Sequence, residues 1–399
     1  MSEAALWTRN FILVSAINFF LVMMFYLLVI VIVGYTVAEL GASTAAAGLI
    51  SGLFIVGTLV GRLVVGQVLL HFGRKTTMLI GLTGFFLLSL LYFVPMGVSG
   101  LLVVRFMHGF MMGIASTVLG TIIAQILPPS RRGEGIGYYS MSSTLGTAIG
   151  PFLAIWMMLH LGYQAIFALS SGFALLCLLI GCFLQVPDAI TDAITAAKNS
   201  STGKDEPNDF ISKVMEKKAI PIGLVILLVS TCYSGVLSYI NFYAKEINLV
   251  ETASVFFLMY AVAILISRPF TGPLMDRRGE NVIMYPAFII MALGLLILSQ
   301  VESGRGLLIS AALLGLGYGN IQSVCQTIAI KSTHLARMGF ATSTFFIFLD
   351  AGLGFGPYFL GLALTQISYS QLYLYSAIAS LGAIVLYYLV HARHLKHSG

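Results

Sequence analysis

Displaced by 206 residues, this chain lies over itself: Arg62 and Gly66 fall on Arg268 and Gly272, and Gly73 falls on Gly279. The register holds further along. Gly109 and Gly113 meet Gly315 and Gly319, Arg131 and Gly133 meet Arg337 and Gly339, and Gly146, Gly150 and Pro151 meet Gly352, Gly356 and Pro357. One offset kept through four successive apolar segments means two copies of one unit in the same order and orientation, which leaves few folds open. Solvent narrows them further. The chain is 58% hydrophobic and 9% charged, against about 25% charged in a soluble domain. Its apolar stretches mostly exceed the roughly 18 residues that mark a bilayer-crossing helix, and the short alternating strands of a membrane barrel are absent. The sequence therefore predicts an all-α integral membrane protein.

Hydropathy places twelve spans at 11–36, 45–70, 76–95, 101–126, 135–159, 164–186, 220–243, 252–274, 282–300, 306–330, 338–364 and 370–391. These form two pseudo-symmetric six-helix lobes, 1–186 and 219–399, joined by a polar cytoplasmic linker over 187–218. The linker's Asn199-Ser200-Ser201-Thr202-Gly203 run has flexible composition, and Phe210–Lys218 fits a short amphipathic helix at the interface. The first apolar run, Phe11–Tyr35, is too long for a cleavable signal and is read as the first span. With the amino terminus inside, sixteen of the 21 lysines and arginines fall on inner loops and tails, and only Lys245 and Arg305 on outer loops. The positive-inside rule then puts both termini in the cytoplasm. The net charge of +6 follows from that bias and calls for anionic lipid, not nucleic acid. Cys177, Cys182, Cys232 and Cys325 lie in apolar spans without metal-ligand spacing and read as small buried hydrophobes. The His391, His394 and His397 tail reads as a lipid contact, so no metal site is expected.

Several residues break the apolar background. Between spans 2 and 3 stands Gly66-Gln-Val-Leu-Leu-His-Phe-Gly73-Arg74-Lys75, and between spans 8 and 9 Gly272-Pro-Leu-Met-Asp276-Arg277-Arg278-Gly279. Span 4 opens on Leu101-Leu-Val-Val-Arg105-Phe-Met-His108-Gly109, with Arg105 and His108 on one helix face. Span 5 carries Gly146-Thr-Ala-Ile-Gly150-Pro151, where glycines four apart permit close helix contact and proline kinks the helix. Of 15 acidic residues, Asp350 alone falls deep inside a span, roughly 18 Å from its inner end at 1.5 Å per residue. Buried carboxylates bind protons more readily, while a neighbouring Arg62, Arg105 or Arg268 would oppose this. Asp350 is the first candidate for a proton-coupling group or the anchor of a cationic substrate; a structural ion pair is the alternative.

These motifs, covering nearly the whole chain, resemble the major facilitator superfamily, most closely its twelve-span drug:proton antiporters. The two glycine loops are similar to that family's G-x-x-x-D-R-x-G-R-[RK] cytoplasmic loop, although Leu70 replaces the acid and His71 the arginine in the first copy, and Glu280 stands where a base is usual in the second. The resemblance implies a cytoplasmic gate at Gly66, Gly73, Arg74, Gly272, Asp276, Arg277 and Gly279, and favours Asp276 as the better latch. Span 4 resembles the family's L-x-x-x-R-x-x-Q-G pattern with His108 for glutamine, which implies a part in proton transfer for Arg105 and, beside it, His108. Gly146, Gly150 and Pro151 resemble the antiporter motif, though Phe152-Leu153-Ala154 departs from its continuation. Spans 1, 4, 7 and 10 line the family's cavity. Carried over, they offer Asn18, Tyr26, Tyr233, Tyr239, Asn241, Tyr318, Asn320, Gln322 and Gln326 to a substrate, besides Arg105 and His108.

The resemblance implies proton-coupled efflux of a drug or metabolite from a bacterial cell by alternating access, with import by symport or facilitation as the alternative. A proton gradient would drive it; no P-loop is present for ATP, no cofactor is implied, and no nucleophile–base cluster marks an enzyme. Partners are the small-molecule substrate, protons and membrane lipid, and a monomer is expected.

Overall fold

The computed structural model describes residues 5–185 and 214–393. Helix α1 (Arg9–Ala38) starts behind Thr8, whose hydroxyl accepts from the Phe11 N–H. Helix α2 (Thr44–Leu90) runs for 47 residues, which at 1.5 Å each is about 70 Å, twice what one crossing needs. It is two spans broken at Gly73, whose φ of 72° and ψ of 175° suit glycine alone. Its counterpart Gly279 ends a later helix with φ 83° and ψ 167°. The duplication thus preserves a backbone conformation as well as a residue. The first half continues with α3 (Gly97–Ile126), α4 (Arg132–His160) and α5 (Gly162–Phe183).

The second half holds α6 (Ile220–Glu246), the short α7 (Val250–Ser254), α8 (Phe256–Arg278) and α9 (Asn281–Ser299). Helix α10 (Gly304–Leu314) passes through a π turn at Gly315–Gly319 into α11 (Asn320–Lys331). Helices α12 (Met338–Ala363) and α13 (Tyr369–Tyr387) complete the chain. Eleven helical runs among the described residues are long and apolar enough to cross a membrane, and the run holding Gly73 contains two crossings. All twelve expected spans are present, with shifts of a few residues at their ends. The interfacial helix expected over 210–218 lies outside the described residues up to 213; beyond it Lys217–Ala219 forms a 3-10 turn.

Packing divides the chain into two units. Unit 1 comprises residues 1–128, 142–216 and 334–343, and unit 2 comprises 129–141, 217–333 and 344–399. The first turns of α4 and α12 are therefore each counted with the unit opposite to the rest of their helix. In unit 1 one core cluster joins Leu27, Val31, Tyr92, Leu101, Val104 and Phe167. There α2 and α3 pack with backbones nearly touching: a Cβ on Gly109 would collide with the Phe54 carbonyl, and one on Gly57 with the Phe106 carbonyl. In a bilayer, where apolar burial gives helices little reason to associate, such approach supplies the packing that holds them.

Replacing Gly109 with valine should therefore destabilise the fold by about 1–3 kcal/mol or more, as overpacking does. Val103→Leu on the exposed face of the same helix should be near neutral, and thermal unfolding in detergent compares the two.

Candidate functional site

In unit 1, Arg105 and His108 sit side by side on α3 and are both fully buried. Arg105 Nη1 donates to Tyr92 Oη at 3.3 Å, and that hydroxyl lies 2.9 Å from His108 Nδ1. The guanidinium carbon stands 4.4 Å from the centroid of the Phe54 ring, and the Phe85 ring lies 4.0 Å from the imidazole. Among the described residues no carboxylate pairs with Arg105, so the aromatic faces carry part of its compensation. The arginine does not reach toward headgroups. It is built into the lobe.

The other two arginines inside spans obey the repeat. Arg62 Nη1 donates to Thr117 Oγ1 at 3.1 Å, and its counterpart Arg268 bonds Ser323, which is Thr117 displaced by the same offset. Arg268 also donates to the Gly319 carbonyl at 2.9 Å and to Asn320 Oδ1 at 3.4 Å. Thr117 and Ser323 escaped sequence reasoning, although the offset that pairs the arginines also pairs these hydroxyls.

The expected substrate-lining residues occupy varied surroundings. Asn18 is buried and donates to Ser142 at 2.8 Å and Ser143 at 2.7 Å, tying α1 to α4. Tyr26 is half-buried, its Cβ beside Gly150. In unit 2, Tyr233 stacks on Tyr318 at 4.0 Å and on Tyr260 at 5.4 Å. Tyr318 rides on the π turn, a local widening often found at functional positions. Tyr239 donates to the Pro357 carbonyl at 2.6 Å. Asn320 accepts from Thr271 at 2.9 Å and donates to the Leu316 carbonyl at 2.7 Å, so its amide is engaged inside the lobe. Asn241 is exposed, Gln322 half-buried, and Gln326 buried. Asp350 lies half-buried at the midpoint of α12.

The glycines of the Gly146-x-x-x-Gly150-Pro151 element lie at close helix contacts. A Cβ on Gly146 would stand 2.9 Å from the Met23 nitrogen, and one on Gly150 2.6 Å from the Met23 carbonyl. Gly352 and Gly356 lie instead against the side-chain hydroxyls of Ser230 and Ser234, and Pro151 and Pro357 sit inside α4 and α12.

The two glycine-turn loops differ sharply. Asp276 accepts the Gly133 N–H at 2.9 Å and the Glu134 N–H at 2.8 Å, placing a carboxylate on the first turn of α4. Free N–H groups and the helix dipole both favour an anion there. Lys331 approaches the same acid at 3.5 Å, Gly272 lies under Glu134, and Arg131 grips Glu134 at 2.7 and 2.9 Å. Gly279 sets the turn that follows, and Arg277 is exposed. Glu280 is bonded by His391 Nε2 at 3.0 Å, and that contact holds its carboxyl below the usual range despite partial burial. Stability from a depressed carboxylate is present above its unfolded pKa and is lost as pH falls through the folded one.

At the corresponding place in unit 1 the contact is apolar. Gly66 faces the Phe340 ring and Gly339 faces Leu69. Arg337 lies 4.7 Å over Phe340 and pairs with Glu216. Gly73 makes the turn and Arg74 is half-buried beside it.

A run of apolar crossings repeated at one offset, with glycine turns at matching positions, forms one pattern, and the profile of the Major Facilitator Superfamily matches residues 14–357, with a second match over 250–398. The chain belongs to the Major Facilitator Superfamily. An uncharacterised transporter of this superfamily from Methanocaldococcus jannaschii is 25% identical over 353 residues, 88% of this chain and 90% of its own. The multidrug resistance protein MdtG of Klebsiella pneumoniae is 24% identical over 294 residues, 71% of this chain and 69% of its own. The solved structure of the proton:xylose symporter XylE superposes with a TM-score of 0.74 at 16% identity, covering 95% of this chain and 94% of that one. The superfamily is one of transporters, and this member is a multi-pass membrane protein.

Asp276→Ala should cost about 1–2 kcal/mol, the worth of a helix-capping carboxylate. Leu70→Ala should leave helix capping untouched. Unfolding midpoints of the purified variants at low and high salt separate them, only the Asp276 effect shrinking with salt.

Proposed function

We propose that this chain is a proton-driven exporter of a small organic molecule, working by alternating access from the cell membrane with both termini in the cytoplasm. One observation carries the reading: Asp350 is the only one of 15 acidic residues placed deep within a span. An ionisable group at that depth is costly in hydrocarbon and is kept where a proton or an ion must be handled. Export is supported by the glycine–proline element of α4 and by likeness to a protein named for multidrug resistance. Orientation is supported by the sixteen inward lysines and arginines.

In this reading Asp350 takes a proton from outside and releases it inside while the substrate moves the other way. Arg105 and His108 form the polar centre of the amino-terminal lobe, and the Tyr233–Tyr318 stack with Tyr239, Gln322 and Gln326 offers aromatic and neutral hydrogen-bonding surface to the cargo. Asn18 and Asn320 hold the frame around that surface. Asp276 on the first turn of α4 is the charged half of the cytoplasmic gate, and Gly66 against Phe340 its apolar half. The driving force is the proton gradient, and no bound cofactor takes part.

Asp350→Asn keeps the shape of the side chain and removes its titration. Proteoliposomes holding this variant should insert and fold normally, yet lose transport driven by a pH gradient by roughly a hundredfold, the scale on which a proton-transfer group acts. A panel of dyes, antibiotics, sugars and amino-acid-like metabolites identifies the cargo, and uptake against an opposed or a parallel gradient distinguishes antiport from symport. Gradient-driven transport unchanged in Asp350→Asn would remove the residue from this role.

A further inference from the structure

Helix α12 has its poorest helix formers just beyond its acid. Asp350 is followed within two turns by Gly352, Gly354, Gly356 and Pro357. Glycine ranks last but one in helix propensity, and the proline offers no N–H to the Leu353 carbonyl one turn before it. Helix α6 runs alongside this stretch in the same direction, Ser230 lying against Gly352, Ser234 against Gly356 and Tyr239 against Gly361. Both serines turn their hydroxyls back to their own helix, on the Leu227 and Thr231 carbonyls at 3.1 and 2.7 Å. Tyr239 does otherwise. Its hydroxyl crosses to α12 and donates to the Pro357 carbonyl at 2.6 Å. A carbonyl has two lone pairs, so this oxygen can take the phenol and keep a bond along the helix. The approach depends on Gly361, where a Cβ would stand 2.6 Å from the tyrosine oxygen. All of these residues belong to unit 2.

The first copy has the proline and lacks the brace. Pro151 answers Pro357, but Val33 answers Tyr239, Ile155 answers Gly361, and Met24 and Leu28 answer the two serines. Thr144 stands where the second copy has Asp350. A lobe therefore stands with the proline break and without a tyrosine across it. The brace and the acid occur together, in one copy.

We propose that Tyr239 is a positioning residue for Asp350. By holding α12 at the proline, its hydroxyl fixes the bend of the helix, and with it the bearing of a carboxyl seven residues earlier, about 10 Å along the axis. The hydroxyl is thereby committed to the helix, and the ring of Tyr239 is what remains for cargo. The inference rests on the proton-coupled reading of Asp350 for its use in transport, but the placement of the acid can be measured without any cargo.

The measurement is infrared difference spectroscopy of the full chain in lipid nanodiscs through a pH titration, each protein minus its Asp350→Asn counterpart. The carboxyl or carboxylate band that the subtraction leaves belongs to Asp350, and its frequency reports the hydrogen bonding around the acid. Tyr239→Phe keeps the ring and deletes the hydroxyl, and the band should shift or split in two. Gly361→Ala keeps the tyrosine and crowds its oxygen off the carbonyl. It should give the same change, and it decides the matter should Tyr239→Phe misfold. The double variant should match either single one, because both remove the same bond. Hydrogen exchange of the backbone amides over 351–361 should rise about fivefold in each variant, the factor for one net hydrogen bond. Phe242→Leu, whose ring lies 6.5 Å from that of Tyr239, should move neither readout. An Asp350 band identical in the wild type, Tyr239→Phe and Gly361→Ala overturns the positioning role, even with faster exchange over 351–361, since a looser helix alone is a structural effect. A band that stays that of the carboxylate at every pH would instead refute the proton-coupled reading, and its shift in the two variants would still judge the positioning.

Discussion

Hydrocarbon offers polar groups no partner, and this one constraint orders most of what the protein does with its few polar side chains. Backbone groups bond within their helices. Side chains that remain polar inside a lobe must find each other, and the lobes are organised around those meetings. Arg62 takes Thr117, Arg268 takes Ser323 and the Gly319 carbonyl, and Asn18 takes Ser142 and Ser143. Arg105 is the instructive exception, since it is fully buried with one tyrosine hydroxyl and an aromatic face as its partners. A guanidinium is weakly hydrated and stacks readily on rings, which makes it the cation that tolerates such a place.

The fold was almost wholly legible in the sequence, because its signals are physically crude. Runs of some twenty apolar residues cannot be mistaken for anything shorter, and glycine with positive φ at Gly73 and Gly279 ends helices wherever it falls. Partners were not legible. Asn320 sits on a face that suits a cavity, yet its amide serves Arg268, Thr271 and Leu316. Helical periodicity gives a residue's direction and leaves open which neighbour lies there. Tyr92 went unnoticed for the same reason: it follows α2 in a 3-10 turn, and only the packing of that turn on α3 brings its hydroxyl to His108. Ser323 was recoverable in principle, since the offset that matches Arg62 to Arg268 matches it to Thr117.

Duplication made two copies of a scaffold, and the differences between the copies show which features the scaffold itself requires. The glycine turns, the arginine–hydroxyl bonds and the Gly–Pro packing of α4 and α12 occur twice. They are what a six-helix lobe needs in order to stand in lipid. The acids occur once: Leu70 answers Asp276, and Thr144 answers Asp350. His108 answers Leu314, so the polar centre of each lobe has no twin in the other.

That lopsidedness reaches the helix ends beside the Gly73 and Gly279 turns. Unit 2 holds the first turn of α4 by a carboxylate on two backbone N–H groups, a directional contact that depends on charge and weakens with salt. Unit 1 holds the first turn of α12 by a phenylalanine ring over a glycine, which is indifferent to salt and tolerant of sliding. Its charged element, Arg337, draws an acid from the connecting segment: Glu216 occupies the role that Glu134 fills for Arg131 within a single helical turn. The sequence reason is plain, because the residue answering Glu134 is Phe340, so the repeated arginine must take its counter-charge from elsewhere. Met215 and Glu216 are thereby fastened to a helix start that has no acid at the position answering Glu134, and a change at Glu216 reaches Arg337 and the Phe340 ring beneath it.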